Sequence, residues 1–387
     1  MALAEQAIRR AQKGEPADAV LRKLFLEQKK LSSRLPRPGF DPLSRVHAPA
    51  EMPSADATHL VFSYYRWKGW LNSSAALNAQ IAEADGLARK FRKSPEEFSD
   101  KELLERSFPS WVPGEAPVTP ELVRALQGEP RLWLRARRGL GLAITKKLGS
   151  CVAFGSGRLA DVLRYFGRED IFRTAAYQAG DLQIQDLSSQ AVGFMCDPQP
   201  GETWWDACAG EGGKTLHLSE LMENKGLIWA SDKSEWRLRR LRMRAGKGRM
   251  FNYRVAEWDG GEKLPTKTLF HGVLVDAPCS GLGTWHRNPH ARWTTQPQDV
   301  RELAAVQLDL LARVARSLKP GGKLVYSVCT ITTAETHGVA DAFEKRFPQF
   351  QPMSLKDPLG GGESTRRLYL PQEHGGNGMF VAAWRAP

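Results

Sequence analysis

From residue 186 to the C-terminus, short apolar runs alternate with longer amphipathic ones, a pattern that predicts strand then helix, repeatedly. Strands are expected at 203–207, 227–231, 251–255, 272–276 and 323–327, with a last one at 378–384. Between the fourth and fifth, a helix is expected over 301–318, with Leu303, Val306, Leu310, Val314 and Leu318 as one apolar stripe. Lys319-Pro320-Gly321-Gly322 should end it and turn the chain into the next strand. Strands of this kind separated by helices build a parallel sheet covered on both faces.

The first third has a different rhythm. Val20, Leu21, Leu24 and Phe25 give residues 17–31 a helical spacing, and helical patterns return at 55–71, 75–91 and 121–127. Pro36, Pro38, Pro42, Pro49 and Pro53 make 35–53 an extended connector, and Pro109, Pro113, Pro117 and Pro120 mark a second irregular stretch. From residue 131 to 185, strand-like and helix-like pieces alternate. The expected organisation is a helical N-terminal domain (1–135), a small α+β connector (136–185) and a Rossmann-like, doubly wound α/β domain (186–387).

Composition narrows the classes of function. The 387 residues are 42% hydrophobic and 25% charged, a globular balance over a length that calls for more than one core. No apolar run approaches a membrane span, and residues 1–10 lack a basic-then-apolar leader, so a cytoplasmic location is expected. A net charge of +12, from 55 Lys and Arg against 43 Asp and Glu, favours a polyanionic partner, nucleic acid before an anionic membrane. The five cysteines contain no CxxC and no zinc spacing, so neither a disulfide framework nor a metal site is expected. Cys151 and Cys196 read as small buried hydrophobes. Tyr64-Tyr65-Arg66-Trp67, basic and aromatic, reads as part of a core helix rather than as a nucleic-acid contact.

Candidate chemistry collects where the strands end. After the first strand, Cys208-Ala209-Gly210-Glu211-Gly212-Gly213-Lys214 forms a glycine-rich turn opening a helix. Such a turn serves a dinucleotide, a phosphate or S-adenosylmethionine (SAM), or is merely a tight turn, and it lacks the ATPase pattern. Asp232 ends the second strand, where a carboxylate accepts ribose hydroxyls or caps the following helix. Asp259 follows the third, facing an adenine or simply making an Asp-Gly turn. Asp276-Ala277-Pro278-Cys279-Ser280-Gly281 ends the fourth strand, and Tyr326-Ser327-Val328-Cys329-Thr330 ends the fifth. Two thiols at the tips of neighbouring strands suggest covalent chemistry.

These motifs, in this order, resemble the Sun (RsmB-type) family of RNA cytosine-C5 methyltransferases. The resemblance runs from about Leu182 to the C-terminus. It takes in Ile184-Gln185-Asp186-Leu187-Ser188-Ser189-Gln190, then Arg287, Pro289 and Trp293, and finally Gly378-Met379-Phe380. It implies SAM held by residues 208–214 and by Asp232, Asp259 and Asp276. It also implies Cys329 as the nucleophile and Cys279 as the thiol associated with release of the methylated product. The chemistry needs such groups: thiolate addition to C6 makes C5 nucleophilic enough to take a methyl group, and elimination then removes the C5 proton and the thiol. Asp276 would hold the base through N3, and Lys214 would favour the Cys329 thiolate. The base edge is inaccessible in a duplex, so the target is single-stranded or flipped out.

The family's Ala-Pro before Gly-Gly is Gly210-Glu211 here. Thr333 and Thr336 replace a Pro and an Asn after the nucleophile, while Glu335 matches an acidic position. The expected partner is RNA, ribosomal before transfer RNA, and the expected state a monomer. Two rivals stand beside this reading. One takes Cys279 as nucleophile, as in DNA cytosine methyltransferases. The other is a catalytically silent RNA-binding assembly factor of the same fold, suggested by the altered glycine turn.

Overall fold

The computed structural model describes residues 1–11, 15–32 and 53–387. Apart from Pro53, the expected connector at 35–53 lies outside them. The chain divides into two compact units.

One unit comprises Met1–Pro113, Val118–Glu129 and Trp285–Thr295. Its helices include Ala2–Ala11, Ala17–Ser32, Pro53–Trp67, Leu77–Lys93, Asp100–Arg106 and Pro120–Gln127. Ser99 and Thr119 start the last two by accepting the N–H groups of Glu102 and Leu122. Tyr64, Tyr65, Arg66 and Trp67 are all buried, and Trp67 packs edge-on against Trp70 and Phe91. The segment Trp285–Thr295, expected inside the catalytic domain, belongs to this unit because Arg292 anchors it. The Arg292 guanidinium, fully buried, donates to the carbonyls of Ser107 (3.0 Å) and Leu126 (3.1 Å) and to Gln127 Oε1 (2.6 Å). Burial pulls its pKa down to about 9, and the neighbouring Arg66 adds to that.

The second unit comprises Gly114–Pro117, Pro130–Thr284 and Gln296–Pro387. It contains a small antiparallel sheet of β1 (Leu132–Ala136), β2 (Cys151–Ala153), β3 (Val162–Tyr165) and β4 (Leu182–Ile184), in the order β2-β3-β1-β4. The expected boundary at 135 therefore cuts a strand. β1 pairs with β3 and β4, so the element begins at Leu132.

The main sheet is built from β5 (Thr203–Asp206), β6 (Leu227–Asp232), β7 (Tyr253–Glu257), β8 (Phe270–Asp276) and β9 (Leu318–Val328). It is extended by β10 (Gln351–Pro352), by β13 (Arg366–Tyr369), which follows the small hairpin β11 (Leu355–Lys356) and β12 (Glu363–Ser364), and by β14 (Met379–Arg385). The order is β10-β14-β9-β8-β5-β6-β7, with β13 beside β14. β5 through β9 run parallel and β14 antiparallel to β9. Both faces are apolar, and the two-residue period sorts the side chains. Trp204, Leu274, Val325 and Val381 pack on one side, and Trp205, Val273, Val275, Leu324, Tyr326 and Phe380 on the other. The chain order reverses between β5 and β8, so a crevice opens beyond their carboxyl ends.

The long helix runs over Pro297–Ala315, not 301–318. Pro297 and a Gln296/Asp299 capping box start it earlier. The Ser317 hydroxyl, donating to the Val314 carbonyl at 2.6 Å, marks its end, and Leu318 already belongs to β9. Val306 is 45% exposed rather than part of the buried stripe, which includes Val300, Gln307, Leu310, Leu311 and Val314. The Asp186 carboxylate ties the start of this region to its end by accepting the Asn377 N–H (3.0 Å).

Replacing the guanidinium of Arg292 leaves three buried acceptors unmatched. Arg292→Met should lower unfolding free energy by about 3 kcal/mol in urea melts. A change within about 0.5 kcal/mol would mean that desolvation cancels those bonds.

Candidate active site

The turn after β5 is shaped by glycine conformation. Gly210 and Gly212 have φ of 55° and 84°, in the left-handed region open to glycine. The Gly210 N–H donates to Asp232 Oδ2 at 3.0 Å, while Asp232 Oδ1 accepts the Ser234 N–H at 2.9 Å. Asp232 thus serves the next helix start and braces the turn at once. The helix Gly213–Leu221 follows and carries Lys214.

Together these elements bound a cleft of about 430 Å³. Of the residues expected to hold a cofactor, Cys208, Ala209, Gly210, Glu211, Gly213, Lys214, Asp232, Asp259 and Asp276 line it, and Cys279 and Cys329 line it too. Gly212 does not. It faces the core, where an added Cβ would come 2.7 Å from Leu241 Cγ, so its smallness serves packing. Asp259 Oδ1 also closes a local turn on the Gly261 N–H (2.8 Å). Sequence reasoning missed Asp206, Trp258, Lys233, Arg237 and Val306 on the same wall. Trp258 packs on Trp205 with centroids 5.0 Å apart, a contact between strand ends that sequence spacing does not reveal.

The cleft fits a cationic nucleoside such as SAM. Five carboxylates (Asp206, Glu211, Asp232, Asp259 and Asp276) face three cationic side chains (Lys214, Lys233 and Arg237). A Cβ added at Gly210 or Gly213 would meet nothing within 4 Å, leaving an open cradle against the backbone. Asp206 Oδ1 is buried without a hydrogen-bond partner, while Oδ2 accepts the Thr215 hydroxyl at 2.6 Å. Glu211, the departure that put negative charge in the turn, is paired with Arg240 at 3.2 Å.

The thiols meet at the far end. β8 and β9 place Asp276 beside Ser327, and the loops beyond bring Cys279 Sγ within 3.4 Å of Cys329 Sγ. Asp276 is held by Ser327 Oγ (2.8 Å) on one oxygen and Lys214 Nζ (2.7 Å) on the other. Burial alone would lower the Lys214 pKa, but Asp276, with help from Cys329, more than reverses this and the net shift is upward. The Cys279 thiol is pushed well above its ordinary value, first by its hydrogen bond to Cys329 and then by burial. Of the two bland cysteines, Cys196 is pushed up to about 12, chiefly by burial.

One carboxylate joins the two thiol loops. Glu335 is fully buried and accepts the Ser280 N–H (2.8 Å), Gln307 Nε2 (3.0 Å) and the hydroxyls of Ser280 (2.5 Å) and Thr332 (2.8 Å). Ser280 Oγ also bonds Thr330 Oγ1 at 2.8 Å. In the sequence, Glu335 is visible only as a matching acidic position.

This geometry defines a SAM-dependent methyltransferase: a doubly wound sheet with a glycine cradle and strand-end carboxylates at its switch point. The comparisons with known proteins agree. Residues 194–385 match the model of the 16S rRNA methyltransferase RsmB/F family. The probable ribosomal RNA small subunit methyltransferase B of a Synechocystis strain is 31% identical over 82% of this chain and 79% of its own. The chain belongs to the RsmB/F family. Among solved structures, a methyltransferase homolog from Pyrococcus horikoshii is 26% identical, with a TM-score of 0.59 over 69% of this chain and 90% of its own. That of PH0851, at 22% identity, shares the fold with a TM-score of 0.75 over 98% and 96%. Among the described residues, no helix is long and apolar enough to cross a membrane, and no cluster of metal-ligating side chains occurs.

Two predictions follow from these side chains. Burial pushes the Asp206 pKa up to about 7, against the opposing Thr215 bond. The folded protein therefore holds this proton where the unfolded chain has lost it. The stability this contributes is complete below about 3.8 and is lost as the pH rises through about 7. Relative to wild type, Asp206→Asn should be more stable at pH 8 than at pH 5 by on the order of 2 kcal/mol in urea unfolding. An equal difference at both pH values would contradict this. Glu335→Ala strands several buried donors and should lose about 3 kcal/mol. It should also slow chemical crosslinking of Cys279 to Cys329 by a short bifunctional thiol reagent; an unchanged crosslinking rate would show that the loops hold without the carboxylate.

Proposed function

We propose that the chain transfers a methyl group from SAM to C5 of a cytosine in small-subunit ribosomal RNA, with Cys329 as nucleophile. The observation that carries this reading is the thiol pair 3.4 Å apart on the wall of the cofactor cleft. SAM, when bound, supplies an electrophilic methyl group on a sulfonium. Cys329 adds to C6 of the base, and the electron density moves to C5, which takes the methyl. Loss of the C5 proton to a base then expels the Cys329 thiolate and restores the aromatic ring.

The electrostatics divide the roles. The hydrogen bond to Cys329, and then burial, raise the Cys279 thiol well above its ordinary value, which leaves Cys329, with the Lys214 ammonium nearby, as the better candidate for the thiolate. This arrangement disfavours Cys279 as nucleophile. Asp276, with both oxygens anchored by protein donors, retains lone pairs for the cytosine edge as N3 gains its proton. The assembly-factor reading loses its main support, since Arg240 neutralises Glu211. Ribosomal RNA is favoured over transfer RNA by the relatives, and the helical unit that holds Met1–Pro113 and Val118–Glu129 suits RNA docking in a monomer.

The test is labelled-methyl transfer to small-subunit ribosomal RNA transcribed without modification. Cys329→Ala should lower transfer at least a thousandfold, while Cys279→Ala should accumulate a covalent protein–RNA complex stable in denaturing gels. A fully active Cys329→Ala would refute the assignment.

A further inference from the structure

The helix Glu235–Lys247, with the sequence EWRLRRLRMRAGK, leaves β6 beside the cleft. Its apolar side is narrow: Leu238, Leu241 and Ala245, three and four residues apart, are buried. The opposite side carries Trp236, Arg239, Arg240, Met243 and Lys247, all exposed. Trp236 is 50% exposed and Met243 68% exposed, and just beyond the helix Phe251 is 78% exposed. A charged face that merely keeps a protein dissolved has no use for large apolar groups set among arginines.

Nearby acids answer only part of this charge. Arg240 pairs with Glu211, Arg242 with Glu235, and Arg237 reaches Asp232 at 3.8 Å. Among the described residues, Arg239, Lys233 and Arg249 have no carboxylate within ion-pair distance. The Arg240 guanidinium lies over the Trp236 ring at 5.5 Å from its centroid, which braces the indole as a platform. The face is continuous with the site, because Lys233 and Arg237 line the same cleft as Cys279 and Cys329.

We infer that this helix face is the track on which a single-stranded stretch of the RNA substrate lies while its target cytosine occupies the cleft. Arginine forks match phosphate oxygens, and exposed aromatic rings stack on unpaired bases whatever their sequence. Charge sign, aromatic interleaving and the need of the chemistry for an unpaired base all select single-stranded RNA as the occupant. The inference rests on the proposed RNA methyl transfer.

The full chain is titrated with an oligocytidine RNA and with unmodified small-subunit ribosomal RNA over a range of salt, with SAM binding measured in parallel. Arg239→Ala/Arg249→Ala should reduce the slope of log K against log salt by about 1.4, from about 0.7 for each phosphate contact on a single strand. Trp236→Ala should weaken RNA binding about tenfold, and Trp236→Phe should restore most of it. SAM affinity should stay within about twofold, which separates these losses from misfolding. Wild-type slope and affinity in the double arginine variant would overturn the track. Unchanged binding in Trp236→Ala would overturn the stacking platform. Equal arginine-dependent binding to phosphatidylserine vesicles would overturn the choice of RNA. A wild-type protein that methylates no RNA would instead refute the proposed function, so the two failures are distinguishable.

Discussion

The Glu335 carboxylate is the tie on which the candidate site depends. It sits on the loop after Cys329, yet it accepts the backbone N–H and the hydroxyl of Ser280, the residue after Cys279. A buried carboxylate is costly unless its lone pairs are filled, and here hydroxyls, a backbone N–H and the Gln307 amide fill them. Opening either loop would strand that charge. The two strand-end loops are therefore tied to each other, with the sulfurs held 3.4 Å apart.

At that spacing two chemically similar thiols have different surroundings, and the proposed roles divide accordingly. The hydrogen bond to Cys329, and then burial, push the Cys279 thiol well above its ordinary value. On the other side, Lys214 stays charged because Asp276 outweighs the cost of burying it. The same Asp276 lines the cleft, so the group that braces the lysine also faces the space proposed for the reacting base. The cleft is acidic where a cationic cofactor fits, and it becomes basic toward the helix that follows β6. Cofactor and polyanion can thus approach one opening without sharing a patch of charge.

The sheet was legible because its strands are apolar on both faces and end in distinctive motifs: Asp206 through Lys214, Asp276 through Gly281, and Tyr326 through Thr330. Both thiols and nine of the ten remaining expected site residues do line one cleft. Gly212 does not, because a glycine needed for a positive φ looks the same in sequence whether it faces a ligand or Leu241. The helix ending at Ala315 was misplaced because Ser317, a weaker signal than Pro320, terminates it. Arg292 and Glu335 were hidden for a common reason. Each is a buried charged residue whose partners come from distant or crossing segments, and periodicity carries no trace of such bonds. The assignment of Trp285–Thr295 to the helical unit was hidden likewise, since its anchor lies in partners from Arg66 to Gln127.

The most direct measurement identifies the cysteine that bonds to the base. Ribosomal RNA carrying 5-fluorocytidine puts fluorine where the departing proton would be, so elimination stops and the protein stays attached. After incubation with SAM and digestion of both polymers, peptide mass spectrometry reads the site of attachment. The methylated, fluorinated nucleotide should be carried by the peptide containing Cys329, with Cys279 unmodified. Attachment at Cys279 would contradict the division of roles drawn from this geometry.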